Sequence, residues 1–130
     1  MNLAKNEAVE IVRMFWDLMA TNDFDSVGQV LAENFTLEWP QSNERIRGAA
    51  NFSRMNYEYP AQGPWRFIVN RVVGNGNEAA SDVSVTDGVL RARAISFFTM
   101  SEGKISRIVE FWPDDYLAPA NRRHLVEPIS

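Results

Sequence analysis

Acidic and basic side chains in the second half of the chain are the groups best suited to chemistry. Asp82, Arg93 and Glu110 all lie in a region rich in β-branched and aromatic residues. A carboxyl group can act as a general acid or base, and a guanidinium can hold an oxyanion. His124, the only histidine, lies near the last residue beside two arginines, where we expect a surface position. We therefore predict that Glu110, Asp82 and Arg93 carry any catalysis.

The composition argues against several other kinds of site and partner. There are no cysteines and one histidine, so we expect no disulfide, no metal site and no cofactor. The 13 basic and 17 acidic residues give a net charge of -4 without a basic block, which predicts no nucleic-acid partner. No stretch approaches the ~18 apolar residues of a membrane span. We expect one soluble, cytoplasmic domain over residues 1–130, with no membrane contact.

Hydrophobic periodicity predicts helices in the first half. Apolar residues spaced three and four apart predict an amphipathic helix from Leu3 to Met19. A shorter helix over residues 24–31 follows, capped by Asn22 or Asp23, and alternation over residues 35–39 predicts a short strand. A third helix is expected from Gly48 to Tyr57.

Turn dipeptides divide the second half into a predicted antiparallel meander of four strands. Asn-Gly at 75–76, Asp-Gly at 87–88 and Glu-Gly at 102–103 are typical of two-residue hairpin loops. The strands are expected at about 65–73, 77–86, 89–100 and 104–112, and a short helix is possible at 119–126.

Two-residue loops would fix which side chains share a face of this meander. Arg93 would lie opposite Trp112 and opposite Asp82, with which it would form an ion pair that is either structural or catalytic. Ile95 would lie opposite Glu110. The predicted polar face then holds Phe67, Val69, Arg71, Asp82, Ser84, Arg91, Arg93, Ile95, Glu110 and Trp112. The predicted apolar face holds Ile68, Val72, Val83, Val85, Leu90, Ala92, Ala94, Phe98, Ile105, Val109 and Phe111.

These faces allow two interpretations. In the first, the apolar face is the core and the polar face is solvated, as in most antiparallel sheets. In the second, the sheet curls around a pocket lined by the polar face, and the apolar face seals a homodimer. The pattern alone leaves both open.

The order of elements and several short motifs resemble the SnoaL-like branch of the nuclear transport factor 2-like superfamily. The resemblance implies a cone-shaped α+β fold, with three N-terminal helices on a curved antiparallel sheet that encloses a pocket. It also implies dimers through the outer sheet surface, and so favours the polar face as the pocket. The motifs are Asp23-Phe24-Asp25, Phe35-Thr36-Leu37-Glu38-Trp39-Pro40, Ile46-Arg47-Gly48, Gly103-Lys104-Ile105 and Glu110-Phe111-Trp112.

The resemblance does not carry a complete catalytic set. Where ketosteroid isomerases have their tyrosine and two aspartates, this chain has Phe15, Trp39 and Ile95. Arg93 and Glu110 match two groups of limonene epoxide hydrolases, but Ile95 replaces the other carboxylate. SnoaL-like cyclases use an acidic residue near the end of the last strand as acid/base, and the resemblance implies that Glu110 or Asp114 takes this place.

Two functions follow from these observations. One is a cofactor-independent cyclase or isomerase in which Glu110 moves a proton beside a carbonyl of an apolar substrate. The other is a non-catalytic dimeric module that binds a small apolar or aromatic ligand. For both we predict a homodimer and a pocket lined by Phe15, Trp39, Phe52, Asn56, Trp65, Phe67, Arg91, Ile95, Ile108 and Trp112.

Overall fold

Helices packed against one sheet make up the computed structural model, which describes residues 4–130, with side chains from residue 7 onward. Leu3, the expected start of the first helix, lies outside the described residues. The helices are α1 (Ala4–Ala20), a first 3-10 helix (Phe24–Val30), α2 (Ala49–Glu58) and a second 3-10 helix (Ala120–Leu125). The strands are β1 (Leu31–Trp39), β2 (Glu44–Arg47), β3 (Arg66–Asn75), β4 (Glu78–Thr86), β5 (Arg91–Ser101) and β6 (Lys104–Phe111).

The six strands form one sheet in the order β2-β1-β6-β5-β4-β3. The four-stranded meander is confirmed as β3 to β6, and β1 joins it by pairing parallel to β6. The short strand β2, which the sequence analysis missed, pairs antiparallel with β1. Its four residues are too few to show an alternating pattern.

The helical layer covers one side of this sheet. Val12, Phe15 and Met19 of α1 are buried at the spacing that the sequence predicted. The segment after α1 winds as a 3-10 helix, with Phe24 and Val27 buried. The layer therefore contains two α-helices and one 3-10 helix. No described helix is long and apolar enough to cross a membrane.

The hairpin loops differ from the expected ones in two of three places. Ser101 pairs with Lys104, so Glu102 and Gly103 form the predicted two-residue loop, both with positive φ. Between β4 and β5 the loop has four residues, because Thr86 pairs with Arg91. The β3–β4 loop is displaced by one position, to residues 76–77. Both shifts change the pairing by two residues and so preserve the faces.

Two register shifts do change the faces. On β6, Ser106 is an extra residue, because Thr99 pairs with Arg107 while Met100 pairs with Ile105. On β3, Asn70 is similarly unpaired between Val69 and Arg71. An inserted residue moves every following side chain to the other side of the sheet. Glu110 consequently lies opposite Ser96 rather than Ile95.

The side of the sheet under the helices, which we call the inner face, is mainly the predicted apolar face. Val83, Val85 and Phe98 are buried there in the core. The predicted polar face was therefore the wrong choice for the pocket as a whole. Four of its members nonetheless pack on the inner side, because the bulges turn the chain: Phe67, Val69, Glu110 and Trp112. The opposite side, which we call the outer face, takes Ile68, Val109 and Phe111 instead.

We predict that Gly74→Ala disrupts the packing of α1 on the sheet. A Cβ at Gly74 would lie 2.9 Å from the backbone oxygen of Glu78 and 2.9 Å from Cγ2 of Val9 on α1. Overpacking of this kind costs about 1–3 kcal/mol of unfolding free energy. Gly28→Ala is the matched control, because its Cβ would make an ordinary 3.8 Å contact with Ala49. Urea unfolding of both variants measures the difference, and equal stabilities would contradict the prediction.

Candidate active site

A cavity of about 350 Å³ lies between the inner face and the helices. Its wall is almost entirely aromatic and aliphatic, and it includes all four tryptophans of the chain. The exposed members of the lining mark its mouth: Gln41, Ser42, Glu44, Tyr59 and Leu90. The remaining lining residues are Phe15, Trp16, Met19, Trp39, Phe52, Met55, Asn56, Trp65, Phe67, Val85, Ala92, Glu110 and Trp112.

Glu110 is the buried charged group of this cavity, with 5% of its surface exposed. Its Oε1 accepts hydrogen bonds from the indole N–H groups of Trp39 at 3.1 Å and Trp112 at 2.9 Å. The Ser96 hydroxyl, which is fully buried, bonds Oε2 at 2.7 Å. Three neutral groups therefore fix the orientation of the carboxyl.

Strand geometry positions both indoles. Trp39 ends β1, which runs parallel to β6 with Glu38 beside Val109, so that Trp39 comes level with Glu110. Trp112 follows Glu110 by two residues and lies on the same side of the chain. The backbone N–H of Trp112 donates to the side-chain oxygen of Gln41 at 2.7 Å, which ties the end of β6 to the loop after β1.

Burial raises the pKa of the Glu110 carboxyl above its ordinary value. Loss of water around the charged form is the dominant cause, and the bonds from Trp39, Ser96 and Trp112 oppose it. No arginine, lysine or histidine of the described chain lines the cavity to offset the desolvation. A carboxyl of this kind can hold a proton closer to neutral pH and is suited to proton transfer.

Most of the predicted ligand-binding residues do line the cavity. Phe15 and Phe52 come from the two α-helices, Trp65 and Phe67 from the start of β3, and Asn56 from the end of α2. Ile108 does not line it. That side chain is fully buried in the core beside Leu37 and opposite Phe98, deeper along β6 than Glu110.

Asp82, Arg93, Arg91 and Ile95 lie on the outer face, so their predicted contact with the pocket is wrong. They are on the sheet side opposite Glu110, because the extra residue in β6 exchanged the faces of the residues that follow it and brought Glu110 to the inner face, while β4 and β5 kept theirs. The Arg93 guanidinium bonds both carboxylate oxygens of Asp82, and Arg71 is 3.4 Å away. Chiefly through Arg93, the pKa of Asp82 is lowered to about 2. The predicted ion pair thus forms, but outside the cavity.

Asp114, the other candidate acid/base residue, is exposed beyond the end of β6 and is not part of the cavity wall. Ser96 is a site residue that the sequence analysis missed. The sequence alone does not reveal Ser96 as a site residue, because it lies opposite Glu110 only as a result of the extra residue in β6. Trp16 was missed as well, although it follows Phe15 in α1 and its indole N–H bonds the buried Ser81 hydroxyl at 3.0 Å.

The described residues contain no group of three or more His, Asp or Glu side chains with the arrangement of a metal site.

Comparison with known proteins relates the chain to one domain family and to several solved structures. The SnoaL-like domain family matches residues 12–108. A proposed ketosteroid isomerase from Kribbella flavida is 34% identical, with a TM-score of 0.89 over 97% of this chain and 92% of that chain. A nuclear transport factor 2-like protein of unknown function from Burkholderia xenovorans is 26% identical, with a TM-score of 0.80 over 96% and 97%.

More distant structures share the fold only. A proposed SnoaL-like polyketide cyclase from Jannaschia is 16% identical, with a TM-score of 0.72 over 86% of this chain and 89% of that chain. No curated protein matches the chain.

We predict that Trp39→Phe and Trp112→Phe each raise the pKa of Glu110 further. Each change removes an indole N–H that favours the ionised carboxyl. A neutral hydrogen bond worth about 0.5–1.5 kcal/mol corresponds to up to roughly one pH unit. Trp65→Phe is the matched control, since Trp65 lines the cavity without bonding Glu110. Carboxyl-carbon NMR titration measures all four proteins, and an ordinary or low pKa in the wild type would contradict the interpretation.

Proposed function

This chain belongs to the SnoaL-like family of the nuclear transport factor 2-like superfamily, and within it we propose a cofactor-independent enzyme that moves protons. Glu110 is its acid/base group, and the substrate is a small, largely apolar molecule with an acidic C–H beside a carbonyl. The observation that carries the proposal is the buried carboxyl held by three neutral donors in an aromatic cavity.

The environment of Glu110 favours both halves of a proton transfer. The ionised form takes a proton from carbon, and desolvation strengthens it as a base. The protonated form then returns the proton at another position, as an isomerisation or ring closure requires. The three donors hold the carboxyl in one orientation throughout. A carboxyl that cycles between two states in place needs no cofactor.

The substrate oxygen would rely on neutral donors. Asn56 uses one amide N–H on the backbone oxygen of Phe52 at 2.8 Å and has a second one to offer. Tyr59 lies at the mouth of the cavity with its hydroxyl group. Neutral donors stabilise an oxyanion less than an arginine does. The reaction therefore suits a substrate whose carbanion is already stabilised by conjugation.

A non-catalytic ligand-binding protein is the second candidate. It is favoured by the position of Arg91 and Arg93 on the outer face, which leaves the cavity of the described chain without a cationic oxyanion stabiliser. Binding and catalysis differ in whether Glu110 exchanges protons with the ligand.

We expect the protein to catalyse deuterium exchange into small aromatic ketones in D2O, and Glu110→Gln to slow it roughly 10²–10⁴-fold. Glutamine keeps the size of the side chain but cannot accept the proton. Asp82→Asn is the control and should exchange at the wild-type rate, because Asp82 is on the outer face. Exchange is followed by proton NMR. Ketones that bind without enzyme-dependent exchange would favour the non-catalytic candidate.

We also propose a homodimer, now through the outer face. Phe97 is 49% and Ile68 65% exposed there, and Phe97 packs edge-on against Phe111. Residues 113–130 add a C-terminal arm in which every residue is exposed, with apolar Tyr116 and Leu117. Asp114 and Asp115 follow Pro113 at the start of the arm, and β3 and β5 carry four arginines on the outer face, at positions 66, 71, 91 and 93. A second copy therefore offers apolar surface and opposite charge to this face.

Phe97→Glu should convert such a dimer into a monomer, because it puts a charge into the apolar patch that Phe97 and Phe111 form on the outer face. Val89→Glu is the control, since Val89 is 75% exposed in the β4–β5 loop and away from that face. Sedimentation velocity at micromolar concentration compares both with the wild type. A wild-type protein that sediments as a monomer would refute the proposal.

A further inference from the structure

The charged groups around the cavity are all of one sign. Among the described lining residues the only ionisable acids or bases are the carboxyls of Glu110 and Glu44 and the phenol of Tyr59. Glu110 is at the buried end and Glu44 is exposed at the mouth. Five arginines adjoin lining residues in the sequence. Arg66, Arg91 and Arg93 belong to the outer face, and Arg45 and Arg54 bond Glu38 and Glu58 instead. The described lining of the cavity thus has two carboxyl groups and no cationic side chain.

The aromatic wall has the same electrostatic preference. Aromatic rings are negative on their faces and positive at their edges, and they attract organic cations. Three of the four indole N–H edges are already used within the protein, by Trp16 on Ser81 and by Trp39 and Trp112 on Glu110. The carbon surface of these rings is therefore what they offer to a ligand.

The bonding of Glu110 leaves room for a cation. A carboxylate has about four acceptor positions, and three are filled by the two indoles and Ser96. All three partners are neutral, so the charge of the carboxylate is oriented but not neutralised. A ligand cation would supply the missing positive charge.

We propose that the ligand of this cavity carries an organic cation, a tertiary or quaternary ammonium group on an apolar body, with Glu110 as its counter-ion. The inference rests on the proposed function for the cavity as the ligand site and adds the charge of the ligand. An anionic ligand is disfavoured at both ends, by Glu110 inside and by Glu44 at the mouth. The apolar body of the ligand packs against the aromatic wall.

A pair of probes with the same shape and different charge tests this proposal. Phenyltrimethylammonium and tert-butylbenzene are nearly isosteric, and both fit a cavity of about 350 Å³. Binding to the complete chain is measured by quenching of tryptophan fluorescence, because all four tryptophans line the cavity. We expect the cation to bind at least about tenfold more tightly than the neutral probe.

Glu110→Gln should abolish most of this preference while leaving the affinity for tert-butylbenzene nearly unchanged. Asp82→Asn removes a charge of the outer face and is the control for a general effect of protein charge. If Glu110→Gln does not fold, Glu44→Gln at the exposed mouth should show a smaller loss in the same direction.

The outcomes separate the inference from the proposed function. Equal binding of both probes, or a preference that Asp82→Asn reduces as much as Glu110→Gln, overturns the cationic ligand and leaves the cavity as a ligand site. Binding of neither probe contradicts the inference and the proposed function together. Preference for the cation that depends on Glu110 supports the inference.

Discussion

The burial of one carboxyl group is the constraint on which the site depends. Taking Glu110 out of water costs several kcal/mol in its ionised form, and the cavity returns only neutral hydrogen bonds from Trp39, Trp112 and Ser96. Costly buried ionisable groups concentrate at functional sites, which is why we propose Glu110, rather than the better-paired Asp82, as the acid/base group.

A single extra residue in β6 decides that the carboxyl of Glu110 is buried on the inner face. Ser106 is skipped in the strand pairing of β6 with β5, so every residue from Arg107 onward lies on the side opposite to the one that regular pairing would give it. Without the bulge, Glu110 would lie on the outer face, opposite Ile95 and on the side that carries Arg93. With it, Glu110 lies under the helices, where the indoles of Trp39 and Trp112 converge. Glu110 therefore lines the cavity because of the irregular pairing between β5 and β6.

The two faces of the sheet hold carboxyl groups in different electrostatic environments. On the outer face, Asp82 is held by Arg93 with Arg71 nearby, which keeps it ionised and lowers its pKa to about 2. On the inner face, Glu110 has no such partner and its pKa is raised. Arginines on one side and unpaired carboxyls on the other give the outer face a positive character and the cavity a negative one. The first matches the two aspartates at the start of the arm in the proposed dimer, and the second matches the proposed organic cation.

The sequence by itself determined most of the elements, although not β2, together with the family and the aromatic composition of the cavity. Periodicity located α1 and α2 within one or two residues, and turn dipeptides located the four strands of the meander. Local signals suffice there, because spacing and turn residues act over a few positions. Seven of the predicted ligand-binding residues, with Glu110, line the cavity, but Phe67, Trp112 and Glu110 do so because the bulges place them on the inner face.

Only the tertiary structure decided which side of the sheet each strand end faces. An alternating pattern is symmetric, so a one-residue bulge exchanges the two faces without leaving a mark in the local sequence. Asp82, Arg91, Arg93 and Ile95 were therefore assigned to a pocket that they do not touch, and Ser96 was not noticed. Packing of the helices on the apolar side selects the inner face, and that choice depends on the whole sheet, not on any one strand.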